Sequence, residues 1–464
     1  MRKKIYLWLA LFAVILVFGF LGWAFCQHGT IGLFRVNGFY KMVFSVVAVF
    51  GFILLFLTLF EYWLYVKRPT ISTKILSFFV RVFTLAGIII PVVAFNYVGI
   101  IPGPYNAVES PQLLLADGKG QNGIPDIAIS FDTMQPTSNI VKWGTGNFSG
   151  VLNEEKPVKQ HTFMLNNLQP DTVYWYQLNN GNKYQFTTPP VDNEPLRFAV
   201  FCDAHFGSAD RQNDLSAKML QYIANPDNDF NLLFSLGDLV EHGFNNSHWQ
   251  EAFKAISSIS SFVPTKYALG NHESILGGLR RYEAYCYPVG MPLQSGTRLY
   301  QRIDVGKMHF LVLDIEWSAE TYSSEENDWL ENQLAGIPRE DWTIVMGHGF
   351  YYASGAYYNG WNWYDNPETI SRLTPLFEKY GVDLVLSGHA HQLELLQNNG
   401  VTYAICGSFA GVQEIERTYV SPASIWYSNK DYAFVDVTID GATARLVFRD
   451  PDYNELESFL IQNN

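Results

Sequence analysis

Apolar residues are spread unevenly along the chain. Three long apolar runs open it, at 5–26, 42–66 and 82–101, with Glu61 the one charge inside them. Each has the roughly 20 apolar residues that a helix needs to cross a hydrocarbon core, where a helix satisfies its own backbone. The pattern predicts a membrane anchor of three transmembrane helices over residues 1–103. Arg2, Lys3 and Lys4 precede the first run, and Lys67, Arg68, Lys74 and Arg81 separate the second from the third; only Arg35 and Lys41 separate the first two. Basic residues favour the cytoplasmic side. The amino terminus is therefore expected in the cytoplasm, and everything after residue 101 outside it. The basic start is like that of a signal peptide, but the run is longer than a signal core and no small-residue cleavage site follows, so it reads as a retained span.

From residue 104 the pattern shortens. Stretches at 126–131, 140–143, 161–165, 172–178 and 184–187 are separated by turn residues, and several alternate apolar and polar positions, as half-buried strands do. They predict a small all-β sandwich over 104–190. From residue 195 the runs become continuously apolar, at 198–202, 231–236, 308–313, 342–346 and 383–386. Amphipathic helical stretches at 214–224, 325–334 and 370–380 lie between them. Strands buried on both faces that alternate with helices predict a layered α/β core over 195–452, with 453–464 as a short tail.

Charge sharpens this division. The formal net charge is −13, and all but one of the 44 acidic residues lie beyond residue 100. That part lacks the clustered Lys and Arg that nucleic-acid binding requires, so no nucleic acid is expected as a partner. An acidic chain that handles phosphate needs a local positive source, which bound metal ions supply. The four cysteines, Cys26, Cys202, Cys286 and Cys406, have no zinc-ligand spacing and read as free thiols.

The chemistry lies where the apolar runs stop. Phe198-Ala-Val-Phe-Cys-Asp203-Ala-His205 ends one run with two candidate ligands. Leu232-Leu-Phe-Ser-Leu-Gly-Asp238, Tyr267-Ala-Leu-Gly-Asn271-His272-Glu273, Ile344-Val-Met-Gly-His348 and Leu384-Val-Leu-Ser-Gly-His389-Ala-His391 repeat the design. Ligands in α/β sheets bind beyond the carboxyl ends of the strands, so these residues should converge. Gly237, Gly270, Gly347 and Gly388 precede the polar residue and are expected to permit the turn. Imidazole, carboxylate and amide donors together suit zinc, manganese or iron. Asp203, His205, Asp238, Asn271, His348, His389 and His391 are too many ligands for one tetrahedral ion. They suit two ions with one bridging carboxylate, an arrangement that can hold both the attacking and the leaving oxygen of a phosphoryl displacement.

Taken together, Asp203-Ala-His205, Gly237-Asp238, Gly270-Asn-His-Glu273, Gly347-His348 and Gly388-His-Ala-His391 resemble the calcineurin-like metallophosphoesterase superfamily. Within it they resemble the purple acid phosphatase-like branch, whose histidine loop is similar to His348-Gly-Phe-Tyr-Tyr-Ala-Ser-Gly355. Leu168-Gln-Pro-Asp-Thr-Val-Tyr174 and Phe186-Thr-Thr-Pro-Pro190 resemble a fibronectin type III-like domain. The resemblance implies a double-β-sandwich flanked by helices. It also implies that Asp203, His205 and His391 hold a first metal, that Asn271, His348 and His389 hold a second, and that Asp238 bridges both. A metal-bound hydroxide would then attack phosphorus in line, while His272 stabilises the developing charge and protonates the leaving alkoxide. One departure stands out. Purple acid phosphatases place a tyrosinate three residues after the bridging Asp and no histidine at the position of His205, whereas this chain has Glu241 and His205. Iron, zinc and manganese all remain open as the metal pair.

A phosphomonoester is the favoured substrate, with a phosphodiester, a pyrophosphate or a lipid-linked phosphate as the alternative. A non-catalytic surface binding module would be marked by loss of a ligand or of His272, and none is missing. His242 and His248 read as surface histidines. Arg211, Arg280 and Arg281 are candidates to meet a substrate anion but read as solvated charges. Residues 355–364, rich in Tyr, Trp, Gly and Asn, are a candidate aromatic lid.

Overall fold

The computed structural model describes residues 108–191, 194–274, 278–358, 361–413 and 416–463, with scattered helical positions between residues 56 and 82. The chain divides into two compact units, Met1–Gly103 and Pro104–Asn464. The expected spans at 5–26, 42–66 and 82–101 lie almost entirely outside the described residues. Among the described residues no helix is long and apolar enough to cross a membrane. The expectation of three transmembrane helices, and with it that of a multi-pass protein with an extracytoplasmic catalytic part, is corrected accordingly. A span needs about 20 consecutive apolar residues in one helix, and the described helical positions there, such as Phe56 and Trp63, do not amount to one.

The second unit is built from two large sheets face to face. Five strands carry the candidate site: β1 (Leu196–Phe201), β2 (Leu232–Ser235), β3 (Thr265–Tyr267), β4 (Trp342–Met346) and β5 (Leu384–Ser387). β1, β2 and β3 run parallel within a nine-stranded sheet. β4 and β5 run parallel within a seven-stranded sheet, next to Met308–Val312. All five are buried apart from the half-buried Arg197 of β1, as the continuous apolar runs predict for β1, β2, β4 and β5.

Alternation along each strand sorts the side chains into layers. Phe198, Val200 and Phe234 from one sheet share a core with Phe310, Val312, Ile344, Met346, Leu384 and Leu386 from the other. The rings of Phe198 and Phe310 meet edge to face, 5.4 Å between centroids. The opposite faces turn outward to helices. Ala199, Phe201 and Leu233 pack with residues of helices Asn213–Ala224, Asn246–Ser260 and Leu279–Cys286. Leu311, Val345 and Val385 pack with those of Ser324–Ala335 and Pro367–Tyr380. The result is helix, sheet, sheet, helix. Ser323 and Asn366 cap the last two helices, accepting from the amides of Glu326 and Thr369, as helix N-termini require.

The segment expected to form a separate all-β sandwich is divided between sheets. Gln112–Leu115, Ile127–Thr137 and Val158–Leu165 continue the nine-stranded sheet beyond β3, and Leu114 pairs in parallel with Thr265. Gly150–Asn153, Ile140–Gly144, Val173–Leu178 and Lys183–Thr187 form a four-stranded sheet, and its Val141, Tyr176 and Phe186 join the core between the sheets. The reason is burial. Leu113 and Leu115 face that core while Leu114 faces the helices, and a strand apolar on both faces belongs inside a covered sheet. Within Leu168–Tyr174, Gln169 N–H donates to the Tyr174 hydroxyl at 3.0 Å. The expected tail is also structured: Glu455–Gln462 pairs antiparallel with Thr443–Arg449 at the edge of the nine-stranded sheet.

Candidate metal centre

The chain leaves the carboxyl ends of β1, β2 and β5 in a tight reversal. Asp203 and His205 after β1, Asp238 after β2 and His389 after β5 have φ of 57°, 47°, 48° and 66°. Left-handed backbone is uncommon for residues with a Cβ and concentrates at functional sites, where the surroundings hold it in place. The turn thus falls on the candidate ligands themselves. Of the four preceding glycines only Gly237, at 96°, has positive φ. Gly270 and Gly388 serve by close approach instead: a Cβ on Gly270 would collide with the Asp238 amide and carboxylate, and one on Gly388 with Cys202 Sγ and Asp203 Oδ2.

These turns bring the seven candidate ligands together at the ends of both sheets. The Nε2 atoms of His205 and His391 lie 3.3 Å apart. They face Asp203 Oδ1 at 3.8 and 3.5 Å, and His205 Nε2 is also 3.8 Å from Asp238 Oδ2. On the other side of Asp238, His348 Nε2 lies 3.3 Å from Oδ2, 3.0 Å from Asn271 Oδ1 and 3.2 Å from His389 Nδ1. The atoms of Asp203, His205, Asp238 and His391 fall within 4.8 Å of one another, and so do those of Asp238, His348 and His389. Asp238 belongs to both groups.

The donor set fits cations. Asp203 Oδ1 is fully buried with no hydrogen-bond partner, a costly state for a carboxylate unless a cation meets it. Burial opposes charge on Asp203, but His348, His205 and His391 outweigh it and hold the carboxyl well below its usual range. Burial likewise opposes charge on His205, yet Asp203 and Glu241 raise it to about 10. Burial also opposes charge on His348, which Asp238 and Asp203 bring up to about 9. Burial and His348 push His389 down to about 3. The carboxylates demand positive charge at this point, and metal ions supply it in place of protons. The imidazole, carboxylate and amide donors fit two transition metal ions.

Residues 196–393 match the calcineurin-like phosphoesterase family. The chain carries a calcineurin-like metallophosphoesterase domain. Similar proteins include purple acid phosphatase 18 of Arabidopsis thaliana, 26% identical over 292 residues, a match covering 60% of this chain and 64% of that one. Another is a protein named probable inactive purple acid phosphatase 24, also of Arabidopsis thaliana, 27% identical over 267 residues and covering 50% and 43%. Among solved structures, a purple acid phosphatase from yellow lupin (Lupinus luteus) seeds superposes with a TM-score of 0.64 at 20% identity, over 77% of this chain and 74% of that chain. That likeness is one of fold. The chain spans less than two thirds of the length of either of the two Arabidopsis thaliana relatives.

Within the phosphoesterase domain, His272 stands beside the cluster. Its main-chain N–H donates to Asp238 Oδ1 at 2.9 Å, its Nε2 is 3.9 Å from Asp238 Oδ2, and its side chain is 24% exposed. Its Nδ1 lies 2.6 Å from the Glu241 carbonyl; a carbonyl only accepts, so Nδ1 carries the hydrogen and Nε2 is the free ring atom. Trp317, Phe350 and Trp363 surround His389, with ring centroids 5.0, 6.0 and 5.1 Å away. Trp363 ends a short hairpin, Ala356–Tyr358 with Trp361–Trp363, within the expected aromatic lid; residues 359–360 lie outside the described residues.

Other residues matter in ways the sequence did not disclose. Glu273, 1% exposed, accepts from the amides of Asp238, Gly270 and Val240 at 2.8, 2.9 and 3.1 Å. It pins the turn bearing Asp238 to the one bearing Asn271. Arg211 and Arg281 are buried rather than solvated. Arg211 donates through Nε to the Ala204 carbonyl at 2.7 Å and lies 3.6 Å over the Phe206 ring, bracing the turn between Asp203 and His205. The described cysteines, Cys202, Cys286 and Cys406, are free and buried.

Proposed function

We propose that this domain hydrolyses phosphomonoesters with two transition metal ions. Asp203, His205 and His391 would hold one ion, Asn271, His348 and His389 the other, and Asp238 both. The observation that carries the reading is the sharing of Asp238 by two ligand groups, with His272 on their open side. When bound, the ions would supply Lewis acidity and lower the pKa of a water at the site. The chain's own residues do the rest. Asp238, held at its amide by Glu273 and at Oδ1 by His272 N–H, fixes the spacing of the two groups. His272, with Nδ1 tied to the Glu241 carbonyl, presents Nε2, which would first take up a proton against the burial that lowers its pKa and then pass it to the leaving oxygen. The aromatic rings around His389 limit water on that side. A phosphate dianion would meet its positive surroundings in the bound ions, since the chain is acidic overall.

The test uses purified protein, metal analysis, and mono- and diester model substrates. Two equivalents of metal, faster monoester turnover and strong loss of rate in His272→Ala and Asn271→Ala are expected. Fewer than two equivalents, or hydrolysis indifferent to both substitutions, sinks the reading. Faster diester turnover replaces its monoester part. Metal binding without hydrolysis of either ester would indicate a non-catalytic role.

A further inference from the structure

Glu241 engages histidine rings with both its side chain and its main chain. Its carboxylate Oε2 lies 2.9 Å from His205 Nδ1. Its carbonyl lies 2.6 Å from His272 Nδ1 and 2.5 Å from His242 Nδ1. An ionised carboxylate and a carbonyl are acceptors only, so all three rings carry hydrogen on Nδ1 and turn Nε2 away from Glu241. The residue is itself held: its N–H donates to the Phe206 carbonyl at 2.9 Å, beside the bridge of Phe206 and Val240. This ties the turn after β2 to the turn after β1.

We propose that Glu241 is a positioning residue that selects the Nε2 lone pair of His205 for the first metal ion. The inference rests on the two-metal reading above. A charged acceptor on the outer nitrogen fixes the ring's tautomer and orientation and makes the inner nitrogen a better donor, and loss of such a partner typically weakens metal binding about 10–100-fold. The neighbouring Asp238 turn and the second ligand group do not depend on the Glu241 side chain, so the effect should fall on one ion alone.

The experiment measures binding of zinc and of manganese to the full chain by chelator competition, for native protein and for Glu241→Ala, Glu241→Gln and His205→Ala, with circular dichroism to check folding. Native protein is expected to bind two equivalents. In Glu241→Ala one of them weakens about 10–100-fold, the same one that His205→Ala loses, while the other is unchanged. Glu241→Gln, whose amide oxygen still accepts from Nδ1–H, should bind within a few-fold of native. Two equivalents held as tightly by Glu241→Ala as by native protein overturn the proposal and leave the two-metal reading standing. Equal losses in Glu241→Gln and Glu241→Ala also overturn it, since an acceptor on Nδ1 would then not be what selects the Nε2 lone pair. Native protein binding fewer than two ions overturns the underlying reading instead.

Discussion

His272 and Glu273 are adjacent, yet they answer to different physics. His272 is tethered at Nδ1 and open at Nε2, so its loss should remove a proton donor without disturbing the turn. His272→Ala is expected to lower kcat by about 10²–10⁴-fold and to leave the melting temperature close to native, as read by steady-state kinetics beside thermal melts. Glu273 satisfies three buried amides at once. Glu273→Ala strands those donors, at on the order of 2–4 kcal/mol in stability; denaturant unfolding should register this as a lower midpoint. Gly270 shows the same tightness from the other side, since a methyl there would collide with Asp238. Gly270→Ala is expected to reduce metal content, which elemental analysis reads directly. The candidate ligands were legible in the sequence because each ends an apolar run. Glu241 was marked only by its spacing from Asp238, and the roles of Glu273 and Arg211 were not legible, because they depend on which main-chain groups the fold leaves beside them.

At the scale of elements, β3 is the least expected part of the sheet. Its middle residue, Lys266, is 2% exposed, with Nζ donating to the Leu115 carbonyl at 3.3 Å and lying 4.4 Å over the Tyr287 ring. Burial, only partly countered by Asp117, lowers its pKa to about 7 from an ordinary 10.5. Between these values the unfolded chain holds a proton that the folded chain lacks. Stability from this group therefore rises with pH across the window, is fully present above about 10.5, and is lost as the pH falls to about 7. Lys266→Met should remove that slope and raise stability most at neutral pH; melting curves of both proteins at pH 7 and pH 9 would test it. β1, β2, β4 and β5 were readable as apolar runs, and the helices Asn213–Ala224, Ser324–Ala335 and Pro367–Tyr380 from their amphipathic period, while Asn246–Ser260 and Leu279–Cys286 were not read. The three-residue β3, with a lysine at its centre, carries no such signal. The stretch at 126–131 was read as part of a separate sandwich over 104–190, and no strand was read at 112–115, because periodicity says how a strand is buried and not which partner buries it.

For the whole molecule, the candidate centre lies where two sheets meet. Asp203, Asp238 and Asn271 come from the nine-stranded sheet, and His348, His389 and His391 from the seven-stranded one. Ions that bind across this seam favour only the folded chain, by about 2.7 kcal/mol for each ion present at 100 times its Kd. Chelation should accordingly lower the melting temperature, and restored zinc or manganese should raise it again; calorimetry with and without chelator is the check.

The same sheet imposes an order of events on synthesis. β1, which carries Asp203 and His205 at its end, pairs on one side with Phe434–Asp440, Val200 opposite Val435, and beyond that strand lie Thr443–Arg449 and Glu455–Gln462. While the ribosome is still making the intervening residues, β1 has β2 on one side and an open edge on the other. Apolar edges of this kind recruit foreign strands, and multilayer chains are most exposed to misassembly before their last element arrives. A nascent chain released before residue 434 would have made every candidate ligand and still lack the strand that closes the sheet beside the first two.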